Sequence, residues 1–312
     1  MVGMRKRLIG IGMACLDQLV LWRDVRAPLS ENAVLDYTVQ GGGMAATAMV
    51  AVARLGGRAE LWAAVGADWM GDAIVCELAQ EGVDVSRVRR VTGARGPMVA
   101  VAVDGGTGER RFAYSTGHVD AGRPVCAADR VAEAGCVLVD GTLPGTTLPA
   151  ARAARRLGVP VVGDVERLTD ETRALLGEVD YAIVGEELAR DLAGDDLAGA
   201  CERLHALGPG RVVITLGARG GVYSDGRGLS RYEAFAVEVV DTTGAGDVFH
   251  GAFCYGLVEG FAPGDALRFA SAAAAMKCRR LGGRAGIPGR GEVEGVLRER
   301  GQGGASTLNI ER

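Results

Sequence analysis

The sequence predicts an α/β fold of three layers, a mostly parallel central sheet with helices on both faces, plus a small β-sheet lid. Three observations predict it. Short apolar runs rich in β-branched residues alternate with alanine-rich helical stretches along most of the 312 residues. Most of the runs are apolar throughout, as strands covered on both faces must be. Two further segments instead alternate in polarity, like strands with one wet face.

The first strand is RLIGIGMA, residues 7–14. Basic residues ahead of that apolar run give the start a superficial likeness to a signal peptide, but glycines and Asp17 interrupt it. MAATAMVAVARLGG (44–57) is a helix stopped by Gly56-Gly57. RAELWAAVG (58–66) is a strand, DAIVCELAQEGV (72–83) a helix, CVLVDG (136–141) a strand and LPAARAARRLG (148–158) a helix. VPVVGDV (159–165), YAIVG (181–185) and RVVITLG (211–217) are short strands, each followed by helical sequence. The last third turns helical over 245–260, 263–281 and 291–300.

The alternating segments are VLDYTVQ (34–40) and GPMVAVAVDGGTGERRFAYS (96–115), the second holding the hairpin signal DGGTGE. Neither is joined to helical sequence, which predicts a separate small sheet lying over the strand ends where ligands bind. One domain over 1–300 is expected, with lid segments at about 18–40 and 95–118 and a flexible tail over 301–312.

Composition narrows the function. A net charge of −4 gives no footprint for nucleic acid, and no apolar stretch is long enough to span a bilayer. Seven scattered cysteines without a CxxC pair argue against a disulfide framework or a zinc site and for a cytoplasmic protein. Lys6 and Lys277 are the only lysines, and neither follows the GxxxxGK[ST] pattern of a Walker A loop. A dinucleotide fingerprint is also missing, because Cys15 stands where GIGMAC would need its third glycine.

The stretch VVDTTGAGDVFHGAF (239–253) carries more than a turn requires. A threonine-capped strand-to-helix turn accounts for one threonine and one glycine. It leaves Asp241 and Asp247 unexplained. Gly244 and Gly246 let a charged group approach the backbone, and the N–H groups of a helix start lack internal partners and favour anions. Asp247 beside such an anion hole suits the deprotonation of a hydroxyl during phosphoryl transfer, which is mostly positioning and electrostatics.

With those residues in view, the sequence resembles the ribokinase-like (PfkB) sugar kinases over essentially its full length. Four blocks carry the resemblance, in order: GGGMAATAMVAVARLGG, VVITLGARGGVY, DTTGAGDVFHGA and GGRAGIP. It implies a ribokinase-like fold with a β-lid, often shared in a homodimer, and ATP-dependent phosphorylation of a sugar with Mg2+ and a monovalent cation, potassium. Asp247 matches the catalytic base, and Gly244, Ala245 and Gly246 the anion hole. Asp17, Gly42 and Gly43 match the sugar-binding residues. Thr215, Gly217 and Gly220 match the turn near the nucleotide, and Gly283 lies in the loop beside the adenine and cation sites. Asp241 and Thr243, with carbonyls from 280–286, match the cation site.

Two departures stand out. The family's acidic Asn-x-x-Glu motif falls on GEEL, where Gly185 and Leu188 replace the key residues and Glu186 or Glu187 is left to compensate. Thr47 stands where many relatives carry a substrate-binding asparagine, and a hydroxyl cannot make the paired contacts of an amide. Within the family the blocks are most similar to those of sulfofructose kinases, including Thr47, which implies a fructose-like ketose phosphorylated on its terminal hydroxymethyl. Yet Glu31, Tyr114 and Thr142 fall where that branch's sulfonate-binding lysine, asparagine and arginine are expected, and Glu31 would repel a sulfonate. Arg111, His118 and Arg123 are the available replacements. A nucleoside kinase, its base lying on Tyr114, Phe112 and Met98, and a non-catalytic sugar sensor remain alternatives. His250 either touches a ligand or packs.

Overall fold

Strand and helix alternate along the computed structural model, which describes residues 7–28, 33–106, 110–119, 128–301 and 310–311. The elements of the N-terminal half are β1 (Arg7–Ile11), β2 (Cys15–Trp22), β3 (Val34–Gly42), α1 (Met44–Arg54), β4 (Arg58–Gly66), α2 (Trp69–Gln80), β5 (Asp84–Val91), β6 (Met98–Asp104), β7 (Arg110–Ser115), α3 (Ala128–Ala132) and β8 (Ala134–Asp140). Then follow α4 (Pro144–Leu157), β9 (Val161–Asp164), α5 (Asp170–Leu176), β10 (Tyr181–Gly185), α6 (Glu186–Ala193), α7 (Leu197–His205), β11 (Arg211–Thr215), β12 (Gly221–Ser224) and β13 (Leu229–Tyr232). The chain closes with α8 (Ala245–Val258), α9 (Pro263–Lys277), α10 (Arg290–Gly301) and β14 (Ile310–Glu311).

The large sheet runs β14-β13-β12-β11-β10-β9-β8-β1-β4-β5. Its seven strands from β11 to β5 are mutually parallel, and β12 to β14 add antiparallel. Alternate residues of one strand feed two cores. Leu8, Leu61, Leu138 and Ile183 pack with α1, α8 and α9 on one face, while Ile9, Ile11, Val139 and Val184 pack with α4 to α7 on the other. That is the expected three-layer arrangement. Helices α1 and α8 approach closely because a side chain on Gly251 would lie 2.3 Å from the carbonyl of Ala48.

The lid is a four-stranded sheet, β3-β2-β6-β7. The DGGTGE hairpin joins β6 to β7 as an antiparallel pair, though residues 107–109 lie outside the described part. One expectation fails here. β3 is joined to a helix, running into α1 through Gly43 alone, whose φ of 91° turns the chain where other residues would be strained. Strand β2 also begins earlier than the expected lid boundary and contains Asp17 within it. At the other end, Ile310 and Glu311 of the expected flexible tail pair with Ser230 and Leu229.

Candidate active site

The strand order reverses at β1, which pairs with β4 on one side and β8 on the other. Open α/β sheets bind ligands in the crevice at the carboxyl ends of the strands beside such a switch point. Here that crevice is lined by Gly12, Met13, Ala14, Thr142 and Leu143, with Pro97, Thr116 and Val119 from the lid side, and is partly open to solvent. Asp140, at the end of β8, is wholly buried and holds two of the lining residues, Met13 and Thr142. It accepts from the N–H groups of Met13 (2.8 Å), Ala45 (3.3 Å) and Thr142 (2.9 Å), and from the Thr142 hydroxyl.

The start of α8 opens toward the same strand ends. Gly244 is its N-cap with φ 75°, a conformation that glycine adopts without strain. The Ala245 N–H closes a turn onto Thr242 O (3.1 Å), so Ala245 is not an open donor as the anion-hole match implied. The N–H groups of Gly246 and Asp247 have no protein acceptor among the described residues, and the space beside Gly246 is clear. Two donors of the first turn therefore remain for an anion.

Asp247 is half-buried, and no protein donor among the described residues reaches its carboxylate. Burial, then the negative charge of Asp164, push its carboxyl well above the usual carboxylate range; Glu166 and Asp17 add to this and His250 opposes it. Asp164 is itself raised by burial and by Asp140 and Glu166. Asp140, Asp164 and Glu166 belong to no sequence motif named above. Their signal was available, since each stands at or just past the carboxyl end of a parallel strand.

His250 packs beneath this group. Its Nδ1 lies 2.7 Å from Gly246 O, and its Nε2 lies 3.2 Å from Ile183 O and 3.5 Å from Asp164 Oδ1. Burial lowers its pKa, favouring the neutral ring, and the shorter contact assigns the proton to Nδ1. His250 therefore pins the first turn of α8 from below and does not reach into the crevice; it is 6 % exposed.

On the lid side, Asp17 is buried, and burial raises its carboxyl. A side chain at Gly42 would lie 2.1 Å from Asp17 Oδ1, so glycine is what lets β3 pass this carboxylate. Thr47 is placed differently from the expected substrate contact. It is buried, and its hydroxyl accepts from Arg284 Nε at 3.3 Å. Arg284, 2 % exposed, also donates to Gly42 O (2.9 Å) and pairs with Glu77 (3.2 Å), tying the GGRAGIP loop to the lid hinge. Thr142 lines the crevice. Tyr114 pairs with Val99 on the same lid face as Asp17 but is 70 % exposed; Glu31 and Arg123 lie outside the described residues.

The turn after β11 lies next to α6. Thr215 donates to Val184 O (3.3 Å), Gly217 and Gly220 take positive φ, and Arg219 between them pairs with Glu186. Leu188 is buried in the core and is no metal ligand, whereas the charge of Glu187 acts on Glu166. Glu187, more than Glu186, thus faces the acidic group. Gly283 backs the start of α8, where a side chain on Gly244 would lie 2.8 Å from its carbonyl. Asp241 Oδ1 accepts from Thr243 N (2.9 Å) and Oγ1 (2.8 Å), Oδ2 accepts from Gly282 N (2.7 Å), and the Lys277 ammonium donates to Asp241 O (2.8 Å).

A switch-point crevice, an open helix start and a carboxylate beside it, under a β-lid, define a phosphotransferase of the ribokinase-like fold. The chain belongs to the pfkB family of carbohydrate kinases, whose pattern matches residues 10–290. It is 31 % identical to the Haemophilus influenzae ribokinase, over 93 % of this chain and 98 % of that one. An Agrobacterium tumefaciens structure, provisionally assigned as a ribokinase, superposes with a TM-score of 0.90 at 32 % identity, covering 95 % of this chain and 99 % of that one. The Arabidopsis thaliana ribokinase, solved with ribose and ATP, gives a TM-score of 0.84 at 27 % identity, covering 95 % and 99 %.

Proposed function

We propose that this kinase transfers the γ-phosphoryl group of ATP to the terminal hydroxymethyl of a neutral furanose or ketose, a ribose- or fructose-like sugar. One observation carries the reading: Asp247, unbonded and raised in pKa by burial first, stands beside the two open N–H groups of α8. The sugar lies in the switch-point crevice, its hydroxyls held by Asp17 and the Gly42–Gly43 backbone. Asp247 accepts the proton as the sugar oxygen bonds to phosphorus and the bond to ADP breaks. The Gly246 and Asp247 amides take up charge on the moving phosphoryl group. ATP extends from there toward Thr215, Gly217 and Gly220, which match the family's turn near the nucleotide.

Mg2+, when bound, neutralises charge between the transferring phosphates. Glu187 and Glu166 are the carboxylates placed to hold it, directly or through water. Among the described residues no group of three ligating side chains forms a ready-made cage, which suits an ion held by one or two carboxylates and the phosphates.

A sulfonated sugar is disfavoured. No cationic side chain lines the described crevice, and Arg111 pairs with Ala102 on the lid face opposite Asp17. The nucleoside alternative keeps some support, because Phe112 and Tyr114 share the Asp17 face and stand exposed; Met98 falls on the other face. That outer face carries the exposed Tyr37 and Val39, which supports a homodimer formed through the lid. ADP release with pentoses, ketoses, a sulfonated ketose and nucleosides tests the reading. Turnover with a neutral sugar is expected; turnover only with nucleosides overturns it.

A further inference from the structure

We infer that the ammonium of Lys277 is the built-in monovalent cation of this enzyme, and that no potassium ion binds between the Asp241–Thr243 loop and the 280–286 loop. The family resemblance implies a metal ion there, held by Asp241, Thr243 and loop carbonyls. The donor set of this chain does not fit one.

A potassium site needs oxygens turned inward around one space with little competing positive charge. Here the three oxygens of Asp241 are turned to donors of the chain itself. Both carboxylate oxygens of Asp241 accept from N–H and O–H groups of Thr243 and Gly282, at 2.7–2.9 Å. Its main-chain carbonyl accepts from Lys277 Nζ at 2.8 Å. Lys277 is 0 % exposed, and its own carbonyl would lie 2.2 Å from a side chain at Gly286. The two loops are laced further by the Val240 and Asp241 N–H groups, which both donate to Cys278 O. The ammonium thus enters the loop junction from the last turn of α9.

Charge then decides against a second cation. Two monovalent charges sharing that space repel, and the one carboxylate present already offsets the first. Residue type agrees. The chain uses arginine almost everywhere for positive charge, yet one of its two lysines stands here. A compact point charge with three donors substitutes for a small ion; a planar guanidinium does not. Since Asp241 to Thr243 lead straight into Gly244, the tethered ammonium orders the start of α8 at any potassium concentration.

The test is a potassium titration of the unmodified protein in buffer whose only other cations are Mg2+ and tetramethylammonium. Phosphoryl transfer rates agreeing within about twofold, and a melting temperature that potassium moves no more than tetramethylammonium does, are expected. Lys277→Met is expected to acquire a requirement, its rate rising severalfold with potassium. Strong activation of the unmodified enzyme by potassium overturns the inference. So does anomalous density from a soaked rubidium ion beside Asp241 O, or a Lys277→Met protein indifferent to potassium. The melting and rubidium readouts hold even if no sugar is turned over, so failure of the proposed function and failure of this inference are told apart.

Discussion

The imidazole Nε2 of His250, on the same helix as Asp247 and one turn beyond it, lies 3.5 Å from Oδ1 of Asp164. The proposed base, Asp247, therefore sits above a buried, acid-rich floor. Burial, then Asp164, raise the Asp247 carboxyl, and a base must be ionised to act. The acid limb of kcat/KM against pH is predicted to lie above the ordinary carboxylate value of about 4. Asp164→Asn removes the negative charge that acts most strongly on Asp247 and is predicted to move that limb to lower pH. A pH profile of both proteins checks the direction; an unshifted limb contradicts it.

The same burial makes Asp247 costly to the fold. Its folded pKa is raised above the unfolded value, so between those two values the folded protein binds more protons. The stability tied to its protonated form is present at low pH and lost as pH rises through the folded value. Asp247→Asn, which removes that charge, is predicted to melt higher near neutral pH, by about 2–4 °C if the gain is about 1 kcal/mol. Scanning calorimetry at acidic and neutral pH checks it, the difference shrinking toward acid.

Arg284 is predicted to matter for stability more than its arginine identity suggests. Replacing it with Met leaves Gly42 O and Thr47 without their donor and Glu77 without its cation. Breaking a buried pair costs about 3–5 kcal/mol, and the partial exposure of Glu77 places this case near the lower end. A clear fall in melting temperature is expected, with a smaller one for Glu77→Gln.

Glu187→Gln is predicted to raise the Mg2+ concentration needed for half-maximal rate by about tenfold, the lower end of what loss of a metal's supporting group costs. Glu186→Gln changes it little, because Glu186 is taken up by Arg219 and Arg190. Rate against free Mg2+ for both variants separates the two glutamates.

What could be read from the sequence was local. DTTGAGD names its own helix start, because threonines, glycines and carboxylates at that spacing have few other uses. The apolar strands β4, β8, β10 and β11 likewise announce themselves. Strand β5 does not: Arg87, Arg89 and Arg90 make it read as surface, and it is the edge of the large sheet, where charge guards against pairing. Asp17 hides β2 in the same way, since a buried carboxylate inside a strand looks like the end of one. Asp164 and Glu166 reach Asp247, and Arg284 reaches Glu77, only through the tertiary fold. A single arginine or carboxylate in a sequence reads as solvated, and nothing local says otherwise.

The most direct measurement compares Asp247→Asn with the unmodified enzyme on the best sugar substrate, with ATP affinity measured in parallel by calorimetry. The account predicts kcat lower by about 10²–10⁴-fold with ATP affinity retained. Equal turnover by Asp247→Asn would contradict it.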